Sequence, residues 1–74
     1  MEMAYVVLNS EIGFERDILE VLKEIPEVRE ASRVYGVYDI IIRVEADTVG
    51  ELKELNREIR QMEKVRSTRM MIVV

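Results

Sequence analysis

The sequence contains no cysteine, no histidine and no tryptophan. Without thiols it can form neither disulfides nor thiolate metal sites, and without imidazole it lacks the usual zinc ligand. A histidine base and a cysteine nucleophile are excluded by the same absences. No apolar run approaches the roughly 20 residues that carry a helix across a bilayer. The first residues, MEMAYVVLNS, place Glu2 where a secretory signal would place a base, so a cytoplasmic location is expected. Basic excess is missing too: the net charge is −4, whereas binding nucleic acid unaided requires a basic footprint. Direct contact with nucleic acid or membrane is therefore not expected.

What remains is a chain of 74 residues, read as one domain over residues 1–74. A domain this small buries roughly 60–65% of the surface its unfolded chain exposes, which leaves a marginal core. With disulfides and a thiolate or imidazole metal site excluded, oligomerisation becomes the leading means of support. Charged residues make up 35% of the sequence. Glu, Arg and Lys dominate while Asn and Gln are scarce, a bias reported for proteins from hot environments.

Hydrophobic periodicity divides the chain into six elements. Met3 to Asn9 (MAYVVLN) is short, β-branched and almost continuously apolar, which predicts a central strand buried on both faces. Ser10 to Gly13 (SEIG) are turn and cap residues. Phe14, Ile18, Val21, Leu22 and Ile25 then recur at helical spacing, and Pro26 marks the stop. Val28 to Tyr35 (VREASRVY) alternates weakly, and Tyr38 to Ala46 (YDIIIRVEA) alternates strongly. With only Gly36 and Val37 between them, the two runs predict a hairpin with a tight turn. Thr48 followed by Glu51 is a capping-box signature ahead of the stripe Val49, Leu52, Leu55, Ile59 and Met62. Val65 to Val74 (VRSTRMMIVV) returns to strand character.

The order strand, helix, strand, strand, helix, strand is the ferredoxin-like βαββαβ pattern, an α+β fold. Two helices should cover one face of a four-stranded antiparallel sheet. The other face, carrying Ile41 and part of the last strand, has nothing in the chain to cover it. A bare, partly apolar face predicts a partner, and a two-fold dimer packed sheet to sheet is the simplest one.

Those segments, in this order, resemble the effector-binding and assembly (RAM) domain of the Lrp/AsnC transcriptional regulators. AYVVLNSEIG with ERDILEVLKEIPEV is similar to that family's first strand and helix. VYGVYDIIIRVEADTVGEL is similar to its glycine–x–x–aspartate hairpin, third strand and capped second helix, and VRSTRMMIVV to its closing strand. The resemblance spans essentially the whole chain and implies a stand-alone form lacking the helix-turn-helix of full-length members. It further implies dimers joined through their sheets in a dimeric α/β-barrel-like assembly, often a ring of four dimers, with an amino acid or related effector between neighbouring dimers.

On this sequence the family's ligand positions fall on Gly36, Val37, Asp39, Thr68 and Met70. Gly36 would expose backbone groups, Asp39 would accept hydrogen bonds from an ammonium group, and Thr68 would donate a hydroxyl. Met70 stands where many members carry a second hydroxyl, which makes the site more apolar. No cofactor and no catalysis are implied.

Simpler readings stand beside these. Asp39 can be a turn residue satisfying nearby backbone groups, Thr68 an ordinary strand threonine, and Met70 with Met71 packing residues. Arg57, Arg60, Lys64, Arg66 and Arg69 read as a solvated face interrupted by Glu58 and Glu63. Two alternative functions also remain open. One is a ligand-independent partner in mixed oligomers with full-length Lrp/AsnC regulators; the other is a small dimeric-barrel enzyme.

Overall fold

The computed structural model describes residues 1–74. Its elements are β1 (Glu2–Ser10), α1 (Glu15–Lys23), β2 (Val28–Arg33), β3 (Ile40–Ala46), α2 (Val49–Arg60) and β4 (Val65–Ile72). The strands form one sheet in the order β2-β3-β1-β4, and every neighbouring pair is antiparallel. The fold is the ferredoxin-like α+β arrangement that the element order predicts.

Side-chain alternation decides which face is covered. Ala4, Val6, Leu8 and Ser10 of β1 and Ile40, Ile42, Val44 and Ala46 of β3 are all buried. The apolar ones meet Ile18 and Leu22 from α1 and Leu52, Leu55 and Ile59 from α2 in a single core. Successive strand residues point to opposite faces, so Met3, Tyr5, Val7, Ile41, Arg43 and Glu45 project away from the helices. β1 is therefore central in the sheet, as its apolar run suggests, but only one of its faces is buried within the chain. Its outward Tyr5 is 37% exposed.

The two helices start differently. Thr48 caps α2, its Oγ1 accepting from Glu51 N–H at 3.1 Å. The Glu51 carboxylate takes the Thr48 hydroxyl in return, rather than the backbone donor of a full capping box. For α1 the expectation of a cap in Ser10–Gly13 fails. Ser10 ends β1 instead, and Phe14 occupies the cap position without a side-chain hydrogen bond. Glu15 reaches back to accept from Gly13 N–H at 3.1 Å, which ties down the entering chain but caps no donor of the first turn. Val21, placed by its spacing in the buried stripe, is 50% exposed.

The connection between β2 and β3 also departs from expectation. The strands stop at Arg33 and resume at Ile40, so a loop from Val34 to Asp39 replaces the tight turn at Gly36 and Val37. Tyr38 and Asp39 lie outside β3. Val34 N–H donates to Asp39 O at 2.9 Å and closes the loop at its base. Beyond that clamp Val34, Tyr35, Gly36 and Val37 are exposed, since ladder pairing stops and the residues have no opposing strand. A second turn of note joins α2 to β4. Lys64 adopts a φ of 75° there, in a left-handed region that side chains rarely occupy. Its ammonium group sits 4.6 Å from the centre of the Phe14 ring.

Two substitutions separate core from cap. Leu22→Ala, at a fully buried site, should destabilise the chain by about 2–5 kcal/mol, and Thr48→Ala by about 1 kcal/mol. Urea unfolding followed by circular dichroism gives both values. Equal losses would mean that the helices are held by local rather than tertiary interactions.

Candidate functional site

Three elements converge where the β2–β3 loop meets the end of β1 and the start of β4. An open cleft of about 470 Å³ lies there, lined by Asn9, Ser10, Ile12, Val37, Asp39, Arg66 and Ser67. Asp39 is its best-anchored member. Its N–H donates to Leu8 O at 3.0 Å and its carbonyl accepts from Val34. Its Oδ2 accepts from Ser10 N–H at 2.8 Å. Ser10 N–H points to the β3 side of β1, just past Leu8 and Ile40, where the β1–β3 ladder ends. A backbone donor left without a ladder partner is thereby satisfied by a carboxylate.

Asp39 thus carries the turn chemistry of the simpler reading and keeps a second oxygen that accepts no hydrogen bond from the chain. Arg66 is exposed and has no ion-pair partner. The cleft presents a carboxylate and a guanidinium, while Ile12 (91% exposed) and Val37 (83% exposed) supply apolar surface. Asn9 donates to Ser67 Oγ at 3.3 Å across the β1–β4 ladder, placing more polar groups on the same wall.

The residues singled out by sequence separate into two sets. Val37 and Asp39 line the cleft, and Gly36 shapes the loop behind them. Its φ of 127° is one that other residues rarely adopt, although nothing stands within 4 Å of where a Cβ would sit. Thr68 and Met70 lie elsewhere. They pair with Leu8 and Val6 and therefore face the helices, on the opposite side of the sheet from Ser67 and Arg69. Met70 packs against the core. Thr68 Oγ1 is buried and lacks a hydrogen-bond partner.

Asn9, Ser10, Ile12, Arg66 and Ser67 were not singled out as site residues. Arg66 looked like part of a solvated basic face, and only the sheet order brings β4 beside the end of β1. Ile12 did leave a trace, since an isoleucine between Glu11 and Gly13 has no place in an ordinary polar turn.

A comparable hollow of about 390 Å³ sits at the other end of the helices, among Glu27, Glu51, Glu54 and Glu58. Its carboxylates would repel an anionic group, and no cluster of three acidic side chains could hold a metal ion. No helix is long and apolar enough to cross a membrane.

The uncovered sheet face carries an ion-pair network beside its apolar residues. Arg43 bonds Glu30 at 3.0 Å and also Glu45, and Arg29 lies 3.5 Å from Glu45. The hydrogen bond to Glu30 holds the Arg43 guanidinium above its ordinary pKa; burial opposes this and Glu45 reinforces it. The guanidinium therefore stays charged wherever the chain is folded.

Because Asp39 serves the fold as well as the cleft, its variants should diverge. Asp39→Asn keeps an acceptor for Ser10 N–H and should leave stability within about 1 kcal/mol, whereas Asp39→Ala strands that donor and should cost about 1–3 kcal/mol. Chemical denaturation distinguishes them, and equal losses would remove the Ser10 contact from the account.

The Lrp/AsnC ligand binding domain family matches residues 7–74. No curated protein sequence matches the chain. Among solved structures, FFRP-DM1 is 40% identical with a TM-score of 0.96, each chain covered in full. A hypothetical protein of Pyrococcus horikoshii, PHS023, is also 40% identical, with a TM-score of 0.92; this chain is covered in full and 90% of that one. AsnC of E. coli, at 24% identity and a TM-score of 0.89, shares the fold. The alignment spans 99% of this chain and 50% of AsnC. Matched over nearly its whole length, the chain belongs to the Lrp/AsnC ligand-binding domain family, a family of regulatory domains.

Proposed function

We propose that the chain is a non-enzymatic, cytoplasmic assembly module whose cleft binds an amino acid and whose oligomeric state responds to it. The observation that carries this reading is the presence of Asp39 and Arg66 in one cleft with Ile12 and Val37. An α-amino acid brings a cation, an anion and a side chain on one carbon. Its ammonium group would bond the free oxygen of Asp39, its carboxylate would pair with Arg66, and its side chain would rest on Ile12 and Val37. Both polar contacts are charge-assisted, which makes them shorter and stronger than neutral hydrogen bonds.

The cleft is too open in a single chain to enclose a ligand, since small-molecule sites usually bury 70–90% of what they hold. A neighbouring copy supplies the missing wall. Pairing of two copies through the bare sheet face, with Tyr5, Val7, Ile41 and Met71 at its centre, gives the dimer, and dimers then gather into a larger ring. An effector shifts that equilibrium only by binding one assembly state more tightly than the other. Thr68 and Met70 contribute from behind the cleft, through the packing of β4 against the helices. Mixed oligomers with longer family members are the second reading, favoured by the match of this chain to half of E. coli AsnC.

Calorimetric titration with a panel of amino acids, paired with light scattering, tests the proposal. At least one amino acid should bind and change the mass distribution. Asp39→Asn and Arg66→Gln should each weaken binding about tenfold or more, as expected for loss of a charge-assisted bond. Absence of binding at millimolar concentration, or equal affinity in both variants and the parent chain, overturns it.

A further inference from the structure

A second surface has not been used by this reading. Between α1 and the turn that joins α2 to β4, Phe14, Ile18, Val21 and Met62 wall a groove of about 250 Å³ that is almost entirely apolar, with Asp17, Glu63 and Lys64 along its rim. Lys64 holds its ammonium group over the Phe14 ring, so the rim carries two carboxylates against one cation. The groove accounts for the half-exposed Val21, an apolar residue that the helical stripe should have buried.

The chain also carries an unused projection of matching character. At the tip of the β2–β3 loop Tyr35 is completely exposed (106%), with Val34 (38%) beside it and the exposed Arg33 just before them. Tyr5 is more sheltered, and Tyr38 is partly buried. An aromatic ring left wholly in water on a small domain is a candidate anchor for a partner, because tyrosine and arginine are enriched where binding energy concentrates.

We propose that the first half of the β2–β3 loop of one copy docks into this groove of another. Tyr35 and Val34 would enter between Phe14, Val21 and Met62, and Arg33 would face Asp17 and Glu63. The proposal rests on the assembly reading above and names a contact that joins its units. Apolar loop and apolar groove match, and the Arg33 cation faces a rim whose net charge is negative.

The contact joins two different patches, so it is heterologous and can propagate or close into a ring. A single aromatic anchor buries about 150–250 Å², far less than the roughly 1,200 Å² at the lower end of stable interfaces. Such a contact does not hold a pair together alone. It links units already joined through the larger sheet face, and it gains strength when several contacts must break together. The docking residues form the first half of the loop whose second half, Val37 and Asp39, lines the cleft. Val34 and Asp39 are tied by one hydrogen bond, so an effector on Asp39 acts at the base of the docking element.

Light scattering coupled to size exclusion tests this on the full chain, with Tyr35→Ser at the tip and Val21→Lys in the groove. The parent chain should have a mass above that of a dimer, and each variant alone should fall to the dimer. Mixing the two variants should restore larger species, because each supplies the surface that the other lacks. A parent chain no larger than a dimer at every concentration overturns the proposal. So does unchanged mass in both variants, or a mixture that remains dimeric. Loss of the larger species in a protein that binds no amino acid keeps the contact and removes the effector. Amino-acid binding with mass unaffected by either variant does the reverse.

Discussion

Everything in this molecule follows from a core with only one sheet face to pack against. Two short helices can cover one side of a four-stranded sheet, and β1 and β3 turn Ala4, Val6, Leu8, Ile40, Ile42 and Val44 toward them. Strict alternation then sends Tyr5, Val7, Ile41 and Met71 the other way, where the chain has nothing to set against them. A domain of this size has a limited reserve of stability, on the order of 4–11 kcal/mol. An uncovered face with four apolar side chains among its ion pairs is a substantial cost on that scale, and association is the remedy under the proposed function.

The cleft shows how closely a binding group can be tied to the architecture that presents it. Asp39 closes the β2–β3 loop, bonds Leu8 and satisfies Ser10 where the β1–β3 ladder ends. Its position is therefore fixed before any ligand arrives, which limits the ordering cost of binding. Arg66 differs, being exposed and without an ion-pair partner in the chain. The cleft accordingly joins a rigid acceptor to a cation with nothing to hold it, and a bound zwitterion would order the second against the first.

The fold was legible because its signals are periodic and local. The alternation of Ile40, Ile42 and Val44, the spacing of Leu52, Leu55 and Ile59, and the Thr48 cap each depend on neighbours a few residues away. The loop was not legible for the opposite reason. Val34 and Tyr35 have the composition of a strand, and only the absence of an opposing partner shows that they leave the sheet. Asp39 was readable as a polar residue at a turn, but its bond to Ser10 spans the fold. Arg66 and Ile12 became site residues only when β4 settled beside β1. Thr68 and Met70 were assigned by resemblance, and the register places them toward the helices.

The outer strands of the sheet carry a consequence of a different kind. β2 is an edge strand, and its pairing with β3 slips between Val28 and Glu30. The kink falls within a short segment that also carries Arg29, Glu30 and Arg33. A bulged, charged rim is a poor template for another strand. The fold is thus steered away from growing edge to edge into a continuous ribbon, the route by which small β-rich chains become fibres. What stays open to them is contact through broad surfaces and protruding side chains, which a cell can reverse.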